Sequence, residues 1–140
     1  MTNFGTYDFL KKYAEEKNVR VKFLGFRKDI PELNKCADIA VLPSLREGLG
    51  LAGIEALASG VPVIGSRVQG IKDYVIDGKT GYLCSPLNAD EFADKIKLLS
   101  DVNLRRSMKN ACIDKAEEFR MDISHKQMSE IYEQLLAKKS

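Results

Sequence analysis

The chain has 140 residues, of which 44% are hydrophobic and 30% charged, and its formal net charge is +2. That balance suits one soluble globular domain and excludes a disordered or fibrous chain, and near-neutrality gives no electrostatic footprint for nucleic acid. No apolar run approaches the roughly 18 residues of a spanning helix. Residues 1–17 also lack the basic-then-apolar order of a signal peptide, so a cytoplasmic location is expected, with any membrane association supplied by another segment or partner. The basic tail Lys138–Lys139 is too short to alter this. Cys36, Cys84 and Cys112 form no C-x-x-C pair, and His125 lies far from two of them. Reduced thiols acting as small core residues are therefore expected in place of a zinc site or a disulfide framework, with His125 exposed and inert.

Taken in order, the elements alternate. Phe9, Leu10, Tyr13 and Ala14 lie on one side of a predicted helix over Tyr7–Lys17, opposite Lys11, Lys12, Glu15 and Glu16. Apolar and basic residues then alternate from Val19 to Gly25, which predicts a strand ended by glycine. Asp29 is placed to cap a short helix over Ile30–Lys35, with Pro31 at its start. The apolar run Ile39–Leu42 predicts a strand buried on both faces of a parallel sheet. Leu51–Ala58 is read as a helix that Gly60 ends in the left-handed conformation, and Val61–Gly65 as a second buried strand that tolerates Pro62 at its beginning.

Beyond a turn at Gly78–Gly81 and a short strand, Tyr82–Cys84, the chain becomes helical. Phe92, Ala93, Ile96 and Leu99 stripe one helix, which Asn88 or Asp90 could cap. Leu104, Met108, Ala111, Cys112 and Phe119 stripe a second, and Met128, Ile131, Tyr132 and Leu135 a last one capped by Asp122 or Ser124. The scattered aromatic residues are read as core. Strands alternating with helices imply an α/β fold: a Rossmann-like parallel sheet flanked by helices, in one domain over residues 1–140. About three central strands make a thin sheet with exposed apolar edges, which leads to the expectation that one or more strands precede Met1.

The chemistry concentrates between Pro43 and Gly81. A glycine-rich turn follows the Ile39–Leu42 strand and opens a helix, which is where open α/β sheets bind ligands. Gly48 and Gly50 let backbone approach a ligand closely, and the free amides of the helix start favour phosphate oxygens. Glu47 stands before this helix and Glu55 about one turn inside it. Carboxylates repel a diphosphate but accept hydrogen bonds from hydroxyl pairs. The amides are therefore assigned to the diphosphate and the two glutamates to ribose and sugar hydroxyls, which makes a nucleotide sugar a better ligand than a bare nucleotide.

These residues resemble the signature of the group 1 (family-4) glycosyltransferases, E-G-x-G-x-x-x-x-E, here E-G-L-G-L-A-G-I-E over 47–55. Four further blocks agree in order: Phe23–Phe26, Pro43-Ser44, the stretch from Glu55 to Val63 that continues to Gly70–Asp73, and Asp77–Leu83. The likeness covers about Val21 to Phe119 and is nearest to enzymes of exopolysaccharide and capsule assembly. It implies the C-terminal, donor-binding half of a GT-B fold with its first strands missing. It further implies a retaining transferase that needs neither metal nor cofactor, and the sequence has no D-x-D pair to hold a cation on a diphosphate.

Carried over by position, Glu55 would bind ribose hydroxyls and Glu47 would act at the transferred sugar. The amides of Gly48, Leu49, Gly50 and Leu51 would face the sugar and diphosphate, and Arg27 is a weaker candidate for backbone contact with the base. The expected partners are a nucleotide sugar, with UDP the likelier carrier by family frequency, and an acceptor-binding half outside this chain. The chain by itself would transfer no sugar and would tend to self-associate through apolar edges. The family's diphosphate-clamping arginine and lysine precede Met1, and Gln69 stands where a second glycine is usual beside Gly70.

Arg46 and Arg67 are read as surface charges. A phosphoacceptor receiver domain is rejected, because the strand ending at Leu42 lacks the required aspartate. A non-catalytic nucleotide-sugar-binding module is the alternative.

Overall fold

The computed structural model describes residues 4–137, so the Lys138–Lys139 tail lies outside it. Among the described residues six helices and three strands follow one another as α1 (Phe4–Glu16), α2 (Ile30–Lys35), β1 (Ala40–Leu42), α3 (Leu51–Ala58), β2 (Val63–Ser66), β3 (Gly81–Cys84), α4 (Ala89–Leu98), α5 (Val102–Glu117) and α6 (Met121–Ala137). A 3-10 turn over Gly70–Asp73 lies between β2 and β3. The sheet is wholly parallel in the order β1-β2-β3, with Ala40 opposite Val63 and Val63 opposite Gly81. This is the expected Rossmann-like α/β arrangement, in which each parallel pairing requires a long crossover: β1 reaches β2 through α3, and β2 reaches β3 through the 3-10 turn.

The core centres on β2, all four of whose residues are buried. Leu57 and Ala56 of α3, Met108 and Cys112 of α5, and Phe92 and Leu99 from the α4 region close around Val63 and Ile64. Buried Thr80 ties the approach to β3 together. Its Oγ1 accepts from the Ile76 amide at 2.7 Å and donates to the Tyr74 carbonyl at 2.9 Å. Caps follow the expected chemistry where donors are free: Asn88 Oδ1 accepts from the Glu91 amide at 3.1 Å, and Asp101 Oδ1 from the Asn103 amide at 2.8 Å. Gly60 has φ 77°, the left-handed geometry that ends α3.

Several expectations fail. Val19–Gly25 forms no strand, because no described strand offers it a ladder; Val19 and Val21 are half exposed. It lies instead against α1, where Tyr7 meets Phe23 edge-on at 4.7 Å between ring centroids. β1 is a sheet edge and is not buried on both faces, and Val41 is 40% exposed. The Asp29 side chain does not cap α2, because its carboxylate is taken by Arg27. Ala93 and Ile96 of the α4 stripe are exposed, as is Cys36, so two of the three thiols, not all of them, are core residues. Burial pushes the Cys112 thiol up to about 11. The reading of the aromatics as core holds for Tyr74 and Phe92 but not for Phe9 or Phe26. The α6 stripe is present, and no side chain on it is buried; His125 is exposed as expected. No described helix is long and apolar enough to cross a membrane.

Candidate functional site

At the carboxyl end of β1 the chain leaves the sheet at Pro43, runs through Glu47–Gly50 and enters α3 at Leu51. Gly50 is the residue that precedes the helix. Its φ of 72° and ψ of 58° are left-handed, and it offers no side chain to cap the first turn. The first amides of a helix have no intrahelical partner, so those at the start of α3 remain available beside the positive end of its dipole. Within the loop the Glu47 carboxylate is half-buried. It accepts from Ser44 Oγ at 3.4 Å and from the Gly48 amide at 3.2 Å. Glu55 lies four residues into α3, about 6 Å along its axis from Leu51. It is exposed, and its side chain makes no hydrogen bond or ion pair among the described residues.

A second segment braces this loop. A Cβ on Gly70, whose φ is 23°, would come within 1.9 Å of the Gly48 carbonyl oxygen, so only glycine allows the two backbones to meet there. Four residues on, the Tyr74 hydroxyl donates to the Gly50 carbonyl at 3.1 Å. Tyr74 is fully buried; burial pushes its hydroxyl up to about 12, and the neighbouring Glu47 carboxylate adds to the rise. By contrast Gly48 has no neighbour within 4 Å of where a Cβ would be. The protein's own packing therefore does not demand a glycine at that position.

The expected site residues divide into two places. Glu47, Gly48, Leu49, Gly50, Leu51 and Glu55 share one continuous loop and helix start. Arg27 belongs to the separate 19–29 segment, where its Nε donates to Asp29 Oδ1 at 2.8 Å, and it has no described bond to the loop. Arg67 is anchored, donating to the Leu83 carbonyl at 2.9 Å and lying 3.8 Å from Asp77. Sequence reasoning missed Tyr74 and the contact that requires Gly70. A phenol within the apolar run Tyr74–Ile76, four residues after a glycine, was the only available signal. An apolar groove of about 370 Å³ lies at the same edge of the sheet, lined by Val41, Pro43, Pro86, Leu87, Ala89, Phe92, Ala93 and Ile96. Its lining has no polar side chain to receive hydroxyls or phosphate. The chemistry therefore points to the loop.

The family model for glycosyl transferases, group 1, matches residues 5–118. The chain belongs to the group 1 glycosyltransferases. It is 40% identical over 119 residues to the N-acetyl-alpha-D-glucosaminyl L-malate synthase of Bacillus anthracis, covering 84% of this chain and 31% of that protein. Its fold matches the crystal structure of Anabaena HepE in complex with UDP-glucose at a TM-score of 0.87 and 26% identity, over 96% of this chain and 38% of that one. It also matches the C-terminal domain of a group 1 glycosyl transferase from Francisella tularensis at a TM-score of 0.72 and 26% identity, over 84% of this chain and 64% of that one. The fold is the Rossmann-like C-terminal part of a GT-B glycosyltransferase, and the chain spans about a third of the length of its curated relative.

Proposed function

We propose that residues 1–140 form a single unit, the donor-binding half of a retaining, metal-independent glycosyltransferase. The whole protein would move a sugar from a nucleoside diphosphate to a glycan or lipid-linked acceptor in cell-surface polysaccharide synthesis, with the acceptor half lying outside this chain. The observation that carries the reading is the Glu47–Gly50 loop running into an uncapped α3, with one carboxylate at its mouth and another a turn inside.

The chemistry follows from what leaves. Breaking the bond between the anomeric carbon and the nucleoside diphosphate places negative charge on the departing phosphate, and preorganised donors aimed there lower the barrier. The amides of Leu49, Gly50 and Leu51, at the positive end of α3, are such donors, and the Gly48 amide joins them once a sugar hydroxyl replaces it on Glu47 Oε1. Open space beside Gly48 supports close approach of a ligand to backbone. Glu47 accepts hydroxyl hydrogen bonds from the transferred sugar and so fixes its anomeric carbon, and Glu55 does the same for ribose. Arg27 contacts the base through its backbone, a role that leaves its ion pair with Asp29 intact. UDP is the proposed carrier, supported by the UDP-glucose bound to the Anabaena protein. The polysaccharide role rests on the motif resemblance, whereas the Bacillus relative is named for a malate product; an acceptor panel holding both classes decides between them. A binding module without transferase activity is the second reading, and product formation by the intact protein eliminates it.

Glu55 provides the direct test. A carboxylate accepting hydroxyl hydrogen bonds contributes about 1.5–3 kcal/mol. Glu55→Ala in the intact protein should therefore weaken UDP binding by at least about tenfold in titration calorimetry. Unchanged affinity would remove the ribose assignment.

A further inference from the structure

We propose that Tyr74 is a positioning residue for the donor site, its hydroxyl holding the Gly50 carbonyl and with it the orientation of the amides that open α3. The proposal rests on the functional reading above and adds to it a residue that never touches the substrate.

The geometry around Gly50 is built to receive this hydroxyl. A Cβ on Gly50 would lie 2.8 Å from Tyr74 Oη and 2.9 Å from Glu47 Cγ. A Cβ on Gly53, one turn into the helix, would lie 2.4 Å from Oη and 2.7 Å from the ring. Gly50 just before α3 and Gly53 within it thus leave the space that the phenol occupies. Gly50 needs its left-handed φ in any case, but nothing in the backbone of Gly53 requires glycine: it is an ordinary helical position, where glycine costs about 1 kcal/mol against alanine. The close approach of Tyr74 is the feature that explains it. The ring is held from behind by Phe119, edge-on at 6.1 Å, and Tyr74's own carbonyl is held by Thr80 Oγ1 at 2.9 Å.

The bond acts at the hinge of the site. Gly50 stands between the residue whose carboxylate faces the sugar and the helix whose amides face the diphosphate. A free peptide unit at a left-handed glycine can rotate, because glycine occupies both signs of φ with little penalty. The Gly50 carbonyl already accepts from the Gly53 amide at 2.9 Å, and the Tyr74 hydroxyl adds a second bond from outside α3. That outside tie fixes the helix start against the rest of the fold before a ligand arrives, so less of the ordering cost is charged to binding. The hydroxyl, pushed up to about 12, remains a protonated donor through the working pH range. Gly70 on Gly48 and Tyr74 on Gly50 together grip the loop at two points from one short segment.

The test compares Tyr74→Phe with Phe119→Leu in the intact protein. Tyr74→Phe keeps the buried ring and removes the hydroxyl alone. It should weaken UDP binding by about fivefold, equivalent to about 1 kcal/mol, and raise the KM for donor while the KM for acceptor stays unchanged. Phe119→Leu loosens the packing behind the ring without touching the bond, so it should lower Tm while UDP affinity of the folded protein stays within about twofold of wild type. Equal UDP affinity in wild type and Tyr74→Phe would overturn the positioning role while leaving the functional reading intact. Should Phe119→Leu weaken UDP binding as much as Tyr74→Phe does, the effect would be general loosening and the proposal would fall. If wild-type protein binds none of UDP, GDP or ADP, the functional reading itself fails.

Discussion

The span from α3 to α5 and the two ends of the chain carry similar helical stripes and meet different fates. In the middle, Leu57, Ile64, Ile71 and Leu99 have no exposed surface, and Met108 has 2%. At the ends, Phe9 of α1 is 65% exposed and Tyr132 of α6 is 61% exposed. Spacing at three and four residues selects a helix and gathers its apolar side chains on one face. It does not say what that face will meet. In the middle the partner is β2, paired on both edges and covered by α3, α4 and α5; at the ends, among the described residues, α1 meets only the half-exposed 19–25 segment, and no residue of α6 is buried.

That contrast can be broken by substitution. The largest effect is expected at Leu57, whose truncation opens a cavity in a packed interior. Leu57→Ala should cost about 2–5 kcal/mol in denaturant unfolding, and a loss under about 1 kcal/mol would mean that the middle is no better packed than the ends. Thr80→Val comes next. It keeps the shape but strands the Ile76 amide and the Tyr74 carbonyl, so about 1–3 kcal/mol should be lost by the same measurement. The smallest effect belongs to Ile131→Ala on α6, at about 0.5 kcal/mol or less. A loss well above that would show that the α6 stripe is covered in the folded protein and would erase the difference between the two regions.

Much of the candidate site's geometry could be read in advance because it is local. Glu47, Gly48, Leu49, Gly50, Leu51 and Glu55 lie within nine consecutive residues, and a strand–turn–helix sequence fixes their relative placement with little help from the rest of the chain. Some helix bounds were similarly legible: Leu51–Ala58 matches the structure residue for residue, and Asn88, one of two expected caps, caps α4, whereas α6 begins at Met121, ahead of the expected caps Asp122 and Ser124. Tyr74 was not legible, because its role depends on a hydroxyl reaching 24 residues back to a carbonyl. The hole left by Gly53 has no meaning until the two segments are in contact. Arg27 stands apart from the loop, and the engagement of its side chain by Asp29, two residues on, leaves only its backbone for the expected contact.

The sequence by itself determined the periodicities, the glycine-rich turn and the order of carboxylates around it, since each depends on chemistry within a few residues. Only the tertiary structure decided which apolar faces are covered, that Val19–Gly25 is not a strand and that β1 is an edge. The physical reason is that a ladder hydrogen bond or a buried contact belongs to two segments at once. A strand pattern with no neighbour leaves its amides to water, and a glycine's missing side chain matters only where another residue arrives to use the space.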